Sequence, residues 1–590
     1  MAVARTDAYD RITTEVTPIE QLVTANATQS RPLLPSFVYF AHESEGTLPL
    51  PWDNHRQHAV GEFARDRAVE APGRVVASAK SWLSHSGIDR RKDLLPLTAA
   101  DDVEKISPVE ASFRILDHLA EAWTHSRQGK TLPSLSELDV VLTVPASFDA
   151  AARDLTVEAA LAAGIEQITL LEEPQAALYA WVERQGDAFR KHIVPGDIVL
   201  VVDVGGGTTD FSAIAVVEDA GSIELRRIAV GEHILLGGDN MDLAIAYHLK
   251  QKLELEGTTL DRWQLQSLVH GARQAKETLL GDSTLESVPV VITGRGSQLL
   301  GATKRTELKR TDVETLLVDG YFPVVAANAT PLVRPKTALQ QLGLPYASDP
   351  AVTKHLAAFL TRQSGALGTN ASRALLCPTR VLFNGGVFKS ALFRDRVLQT
   401  LNGWLRELGA REATVLPGED LDLAVARGAA YYGEVRRGKG LRIRGGTARA
   451  YYVGIESPMP AVPGIEPPLL ALCVAPFGIE EGSEGVTLEQ ELLAVVGESV
   501  RFRFFGSTVR RNDTSGQLLE QWSDNELEEL SPIEVVLPAK NRHVGDVVPV
   551  RLRASITAIG TLLVEAIPLE PVVDNECWKV ELSVREHSQG

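Results

Sequence analysis

Residues 201–214 read VVDVGGGTTDFSAI, and the fold class follows from how this stretch is read. An apolar run beginning at Val199 reaches Asp203. Three glycines and two threonines follow, and Asp210 opens a second apolar alternation. Alternation on both sides of a glycine cluster reads as strand, turn, strand. Glycine has no Cβ, so its N–H groups can approach an oxyanion closely. Successive N–H groups in a turn form a concave nest for phosphate. Thr208 and Thr209 can add hydroxyl donors, and an aspartate at the strand end can hold the hydrated Mg²⁺ that accompanies a nucleotide. The stretch is not GxxxxGK[ST] and it leads into a strand, so neither a P-loop nor a Rossmann turn is expected. The competing reading is a hairpin that merely needs glycine.

Outward from this point, residues 1 to about 434 alternate strand-like and helix-like segments. Val140–Val144, an amphipathic stretch from Asp149 to Gly164, and Ile168–Leu171 are one such unit, and the alternation is an α/β signature. Beyond Gly438 the texture changes. "GKGLRIRGG" is a basic, glycine-rich joint, and short apolar runs follow at Leu469–Val474, Val500–Phe505, Val548–Leu552 and Leu562–Ile567. Gly and Pro punctuate them, which reads as an all-β module. "SDNELEELSPIE" reads as a solvated loop or short helix.

Bulk properties bound the function. The 590 residues are too many for one core. The 77 acidic against 59 basic residues give a net charge of -18, which argues against a broad nucleic-acid surface. Three cysteines, Cys377, Cys473 and Cys577, lie far apart without a CxxC pair, so a reducing compartment fits better than a zinc or disulfide framework. The N-terminus has no apolar h-region and no run of 18 apolar residues occurs, so neither a signal peptide nor a membrane span is expected.

"DVGGGTTD" resembles the second phosphate loop of the actin-like ATPase superfamily, and the chain is most similar to its 70-kDa heat-shock chaperone family. Further motifs follow in that family's order over residues 20–433: "VVASAKSWLSH", "VVLTVPASFDAAARDLTVEAALAAG", "LLEEPQAALYAW", "LLGGDNMD", "ARQAKETL", and "VLFNGGVFKS" with "LDLAVARGAA". The resemblance implies a two-lobed, actin-like α/β ATPase domain over 1–434, a linker at 435–445 and an all-β, substrate-binding-like domain without a helical lid over 446–590. It implies ATP/ADP and Mg²⁺ as cofactors. Lys80, Glu173, Asp203 and Thr208 would be catalytic, with Asp203 and Glu173 holding Mg²⁺ through water. Gly205, Gly206, Gly207, Thr209, Gly237, Gly238, Lys276, Gly385, Gly386 and Asp422 would hold the nucleotide. Pro145 and Arg153 would relay its state. Taken singly these residues have plain readings: a surface lysine, a solvated glutamate pair, a strand-ending proline, an N-cap aspartate.

The implied function is a cytoplasmic, chaperone-like ATPase that binds unfolded or extended polypeptide, with a co-chaperone and a nucleotide exchange factor as possible partners, no nucleic acid and no membrane. The alternatives are a non-hydrolysing nucleotide-dependent scaffold and a small-molecule kinase of the same superfamily. The chain departs from the pattern in several places. The family's first phosphate loop is missing. "MAVARTDAYDRITTEV" (1–16) echoes "AIAVVEDAGSIELRRI" (213–228), which makes Met1 the start of a second strand. The first strand and loop are then expected upstream of Met1, or the chain is a degenerate member, and ATP hydrolysis is expected only if that loop exists. Glu277, Leu280 and Val387 replace a basic residue and two serines. Residues 320–375 are longer than the family needs, look helical at "DPAVTKHLAAFLTR", and could form a partner surface. The joint is basic where the chaperones use an acidic, leucine-rich linker.

Overall fold

The computed structural model describes residues 1–590 apart from 8–10, 86, 128–132, 220–221, 233, 293–303, 334–342, 365–373, 419, 440, 442, 446, 448, 457–467, 480–484, 508, 511, 524–525, 531, 558–560, 574–575 and 584–590. The chain is mixed α/β and divides into two units. Met1–Phe148, Asp154–Ile223 and Gly231–Arg442 form the first; Asp149–Arg153, Glu224–Val230 and Ile443–Gly590 form the second.

The first half of unit one opens with an antiparallel pair, β1 (Ala2–Thr6) and β2 (Ile12–Val16), in the register Ala2↔Val16 to Thr6↔Ile12. The hairpin β3 (Ile19–Thr24) and β4 (Ala27–Arg31) follows. In the next sheet β5 (Phe37–Phe40) lies between β6 (His58–Val60) and β7 (Val75–Ala77). Helices α1 (Glu62–Glu70), α2 (Ala79–Leu83) and α3 (Pro108–Ser126) accompany them. The start of α3 is set by Ser107, whose Oγ accepts the Glu110 N–H, and by Pro108, whose missing N–H is harmless in the first turn. The apolar run predicted at Val140–Val144 is β8, parallel to β9 (Ile168–Glu172). Helix α4 (Ala150–Ala162) lies between them in sequence, and α5 (Glu173–Gln185) follows with Pro174 in its first turn.

The second half repeats this order. β10 (Ile198–Val204) is buried at every position. It pairs antiparallel with β11 (Thr209–Asp219) and parallel with β15 (Arg380–Asn384). The strand–turn–strand reading therefore holds. In sequence, β11 is followed by β12 (Ser222–Val230), α6 (Gly238–Leu255), α7 (Arg262–Gly281) and the antiparallel pair β13 (Ser287–Ile292) and β14 (Lys304–Lys309). The short turns α8 (Arg310–Val313) and α9 (Asp319–Tyr321) lead to α10 (Val352–Arg362), the helix expected within 320–375. The rest of that extended segment includes 334–342 and 365–373, outside the described residues. After β15 come α11 (Ala391–Glu407), β16 (Thr414–Val415) and α12 (Ala424–Arg436). Helices α5 and α12 pack against each other, and a Cβ on Gly428 would overlap the Ala176 carbonyl. Only a glycine permits that approach.

In the second unit β12 pairs in parallel with β17 (Ile443–Gly445). Of the joint expected at 435–445, the start thus belongs to α12 and the end to a strand, while 440 and 442 lie outside the described residues. Its remaining strands are β18 (Ala450–Glu456), β19 (Leu469–Ala475), β20 (Val486–Val495), β21 (Ser499–Phe502), β22 (Phe504–Ser507), β23 (Leu518–Leu519), β24 (Glu528–Glu529), β25 (Ile533–Val536), β26 (Val547–Ile556), β27 (Thr561–Pro568) and β28 (Trp578–Ser583). One sheet runs β23-β19-β18-β22-β24, another β20-β26-β27-β28, and β21 pairs with β25. Tyr451, Leu472, Phe504, Val550, Leu562 and Trp578 share a core. The run Val500–Phe505, read as one strand, is two: Arg503, ion-paired with Glu529, separates β21 from β22, which joins the other sheet. Within "SDNELEELSPIE", Glu528–Glu529 form β24, while 524–525 and 531 lie outside the described residues. Among the described residues no helix is long and apolar enough to cross a membrane.

Candidate functional site

The glycine turn between β10 and β11 is fastened from below. Gly205 N–H donates to Thr208 O at 2.9 Å, while Gly238 and Asp239, in the first turn of α6, donate to Gly205 O at 3.0 Å and Gly206 O at 2.7 Å. A Cβ on Gly237 would lie 2.6 Å from both of those carbonyl oxygens. Thr209 is buried, and its hydroxyl donates to Leu236 O at 2.7 Å. It ties the turn to 234–236 rather than presenting a donor to the open side. The other predicted donor, Thr208, hydrogen-bonds Asp210.

Asp203 and Asp210 are directly opposed across β10 and β11. Both are buried, and like charges so placed repel. Burial, then repulsion from Glu173 and Asp210, pushes the Asp203 carboxyl up to about 7, partly offset by Asn384 Nδ2, which donates to Asp203 Oδ2 at 2.8 Å. Burial and Glu173 likewise raise Asp210 to about 6, against hydrogen bonds from Ser147 and Thr208. Lys80, on α2, pairs with Glu173 at the start of α5. Burial opposes its ammonium, but Glu173, Asp203 and Asp210 outweigh that and lift it above the ordinary lysine value. Lys80, Glu173 and the segment that carries Asp203 and Thr208, three stretches far apart in sequence, therefore meet in one polar cluster beside the glycine turn. Among the described residues no three His, Cys, Asp or Glu side chains converge closely enough to ligate an ion directly. The carboxylate repulsion still fits a hydrated cation held through water.

A second cluster lies against Gly237–Gly238. Lys276 Nζ reaches Asp242 Oδ1 at 2.6 Å and Gly238 O at 3.2 Å. Arg273 binds Asp242 at 2.7 Å and also pairs with Asp239. Ser78 Oγ donates to Asp239 Oδ2 at 2.7 Å from a left-handed backbone, φ 56°. Gly385 has φ 88°, and a Cβ there would strike Val204 O and Asp203 Oδ1, so this glycine seats the end of β15 beside the first cluster. Asp422 is paired elsewhere, with Lys389 at 2.6 Å just beyond Gly386, and the N-cap of α12 is Leu423. Pro145 follows β8 and accepts the Phe148 N–H at 3.2 Å; Arg153 is buried in α4.

The sequence assigned no role to Ser78, Ser147, Asp210, Asp239, Asp242, Arg273 and Asn384, although Asp210 stood out as the carboxylate on the far side of the glycines. Six of them stand inside quoted motifs or beside a singled-out residue: Asp210 one strand across from Asp203, Asn384 before the Gly-Gly pair, Arg273 one turn before Lys276. Ser78 too lies in a quoted motif, but its left-handed backbone has no sequence signal.

Comparison with known proteins now decides the family. The model of the Hsp70 protein family matches residues 23–325. The chain belongs to the Hsp70 family. Relatives include the chaperone protein HscA of Enterobacter sp. (strain 638), 31% identical over 323 residues, covering 50% of this chain and 49% of the relative. The HscA homolog of Vibrio cholerae serotype O1 (strain M66-2) is 33% identical over 273 residues, 44% and 38% of the two chains. HscA of Salmonella arizonae is 30% identical over 332 residues, 52% and 48%. The match spans about half or less of these relatives' lengths. Within the Hsp70 match fall Lys80, Glu173, the glycine turn and Lys276, whereas Gly385, Gly386 and Asp422 lie beyond it.

Proposed function

We propose that this Hsp70-family chain is a nucleotide-driven, polypeptide-binding chaperone. Its first unit would act as a two-lobed, actin-like ATPase over residues 1–434. The β-rich region 446–590 would take extended apolar peptide by strand addition and side-chain pockets. The observation that carries the reading is the Lys80–Glu173 pair with two opposed, buried carboxylates beside a glycine turn fastened to the start of α6. Such a set has no purpose in a plain hairpin, where the repulsion would only destabilise.

In the proposed chemistry the N–H groups of Gly206 and Gly207 receive phosphate oxygens and stabilise charge as it shifts; the Thr208 hydroxyl, which donates to Asp210 in the ligand-free chain, would turn to the phosphate when nucleotide binds. Asp203 and Glu173 would hold hydrated Mg²⁺, which when bound neutralises phosphate charge; Asp210 adds a third carboxylate. Lys80 orients the attacking water. Lys276, Gly237, Gly238, Gly385 and Gly386 shape the nucleoside end, and Asp422 fixes the segment after Gly386 through Lys389. Thr209 serves by anchoring the turn. The names of the relatives support a chaperone role; a cytoplasmic setting, and a co-chaperone and exchange factor as partners, belong to the proposal itself. A non-hydrolysing scaffold is the second reading, favoured by the one glycine phosphate turn seen among the described residues. Steady-state ATP turnover with and without unfolded peptide, against a panel of sugars, tests both. Peptide-stimulated turnover supports the chaperone, tight ATP binding without turnover supports the scaffold, and sugar-dependent turnover sinks both.

A further inference from the structure

The segment after β14, longer than the Hsp70 pattern needs, walls a cavity that neither the nucleotide nor the peptide reading uses. The cavity holds about 530 Å³, inside the range of small-molecule sites, roughly 300–1,000 Å³. One wall is Phe211 of β11, stacked on Phe359 of α10 with ring centroids 5.7 Å apart. Ile234, Pro331, Leu332 and Ala358 add further apolar wall. These walls are tied down from outside. Asp349 accepts the Leu332 N–H at 2.8 Å and pairs with Lys354 at 2.9 Å. The Thr353 hydroxyl donates to Pro323 O at 2.7 Å, and the Ala347 N–H donates to Leu235 O at 3.1 Å. Leu332 is nevertheless 54% exposed and Val333 85%, so apolar surface lies open at the mouth. The Hsp70 match ends at residue 325, and the walls at 328–333 and 347–362 lie beyond it.

The lining carries one cation. Arg362, at the end of α10, pairs with Glu232, and their side chains are 50% and 56% exposed. Exposed pairs of this kind contribute little to stability, so Glu232 is a replaceable partner. The Nε of Arg362 donates to Ala358 O at 3.4 Å, and among the described residues its Nη2 has no partner. A guanidinium with a spare edge fits a carboxylate bidentately. His355 also lines the cavity. Its Nε2 faces Asp349 O at 3.0 Å, and burial lowers its pKa, so it adds no charge at neutral pH. One positive charge beside an apolar hole selects one negative charge on an apolar body. A second negative charge would face Glu232.

We propose that this cavity binds a small amphipathic monocarboxylic acid, its carboxylate on Arg362 and its apolar body against Phe211 and Phe359. Occupancy is felt at the glycine turn, because two of the walls hold that turn. The Gly231 N–H donates to Phe211 O at 2.8 Å, and the Thr209 N–H donates to Ile234 O at 2.9 Å. Phe211 follows Asp210 directly in β11. A body packed on Phe211 and Ile234 therefore steadies the strand and the turn together. The inference rests on the cavity and its one cation, not on the nucleotide reading.

Titration calorimetry with decanoate tests it on the full chain, with decanol and decylamine alongside. Decanoate is expected to bind at one site with a Kd at or below about 100 µM. Arg362→Gln, a change at an exposed side chain, should weaken decanoate about tenfold and leave decanol unchanged. Ala358→Phe fills the cavity and should abolish binding of both; Ala329→Leu serves in its place if that variant melts below the parent. No saturable decanoate binding up to about 1 mM, or binding undiminished in the filled variant, overturns the site. Decylamine binding as tightly as decanoate, or full decanoate affinity in Arg362→Gln, overturns the carboxylate assignment. Saturating decanoate should slow hydrogen exchange of the Thr209 and Gly231 amides about threefold or more; unchanged exchange overturns the link to the glycine turn.

Discussion

Asp203 and Asp210 make the stability of the ligand-free chain depend on pH in a defined direction. Unfolded aspartates ionise near pH 4, whereas Asp203 and Asp210 hold their protons to about 7 and about 6 in the fold. Between pH 4 and 7 the unfolded chain is ionised where the folded chain is not, so stability falls as pH rises through that window and levels off above it. Asp203→Asn removes the group. It should raise stability at pH 8 by on the order of 2 kcal/mol, and with it the unfolding midpoint, and change little at pH 4.5; calorimetric scans of both proteins at the two pH values check this. Mg²⁺ with nucleotide should stabilise the parent more at pH 8 than the variant. Lys80→Ala acts on a different quantity. It should lower turnover about 10²-fold while nucleotide affinity changes less than tenfold, as read from single-turnover kinetics and calorimetry; unchanged turnover would remove Lys80 from the chemistry. Lys80, Glu173 and Asp203 were legible because each stands in a local motif, AKSW, EEPQ and DVGGGTTD, that carries its own pattern. Asp210 was visible only as a flanking carboxylate, because its partnership depends on cross-strand register, which a linear pattern does not fix.

Among elements, the contact of the glycine turn with α6 is the most demanding. Gly237→Ala would push a methyl against the Gly205 and Gly206 carbonyls, 2.6 Å away. Backbone cannot rotate aside as a side chain can, so we expect a loss of about 1–3 kcal/mol in stability and at least tenfold weaker nucleotide binding, measured by thermal melts and titration calorimetry. Gly428→Ala sets two effects against each other. Alanine gains about 1 kcal/mol of helix propensity, but its methyl overlaps the Ala176 carbonyl, and separating α5 from α12 should outweigh that gain. A lower midpoint is expected; a higher one would show that the helices can part freely. The strand–turn–strand, the β8–α4–β9 unit, α10 and the apolar runs of the β-rich region could all be read from periodicity. The break at Arg503 and the strand Ile443–Gly445 could not, because a sheet change and a three-residue parallel pairing are set by distant partners.

For the whole molecule, the proposed coupling predicts that full-length chain binds an extended apolar peptide and releases it faster when ATP and Mg²⁺ are added. Fluorescence anisotropy with stopped-flow mixing measures both. Absence of binding at millimolar peptide would remove the chaperone half of the reading, and nucleotide-independent release would remove the coupling. From the sequence alone, the overall charge argued against a broad nucleic-acid surface, and the spacing of the three cysteines against a zinc or disulfide framework.

The approach of α5 to α12 has a consequence for motion. Each helix follows the last parallel strand of its own copy, and at Gly428 and Ala176 they meet backbone to backbone. At that one point no side chain separates the two backbones, while Tyr179 of α5 packs on Tyr431 and Tyr432 of α12 beside it. Relative movement of the two helices is then expected to pivot about this point. Gly428 would be a fulcrum, nearly stationary itself, with displacement growing toward the far ends of the lever arms.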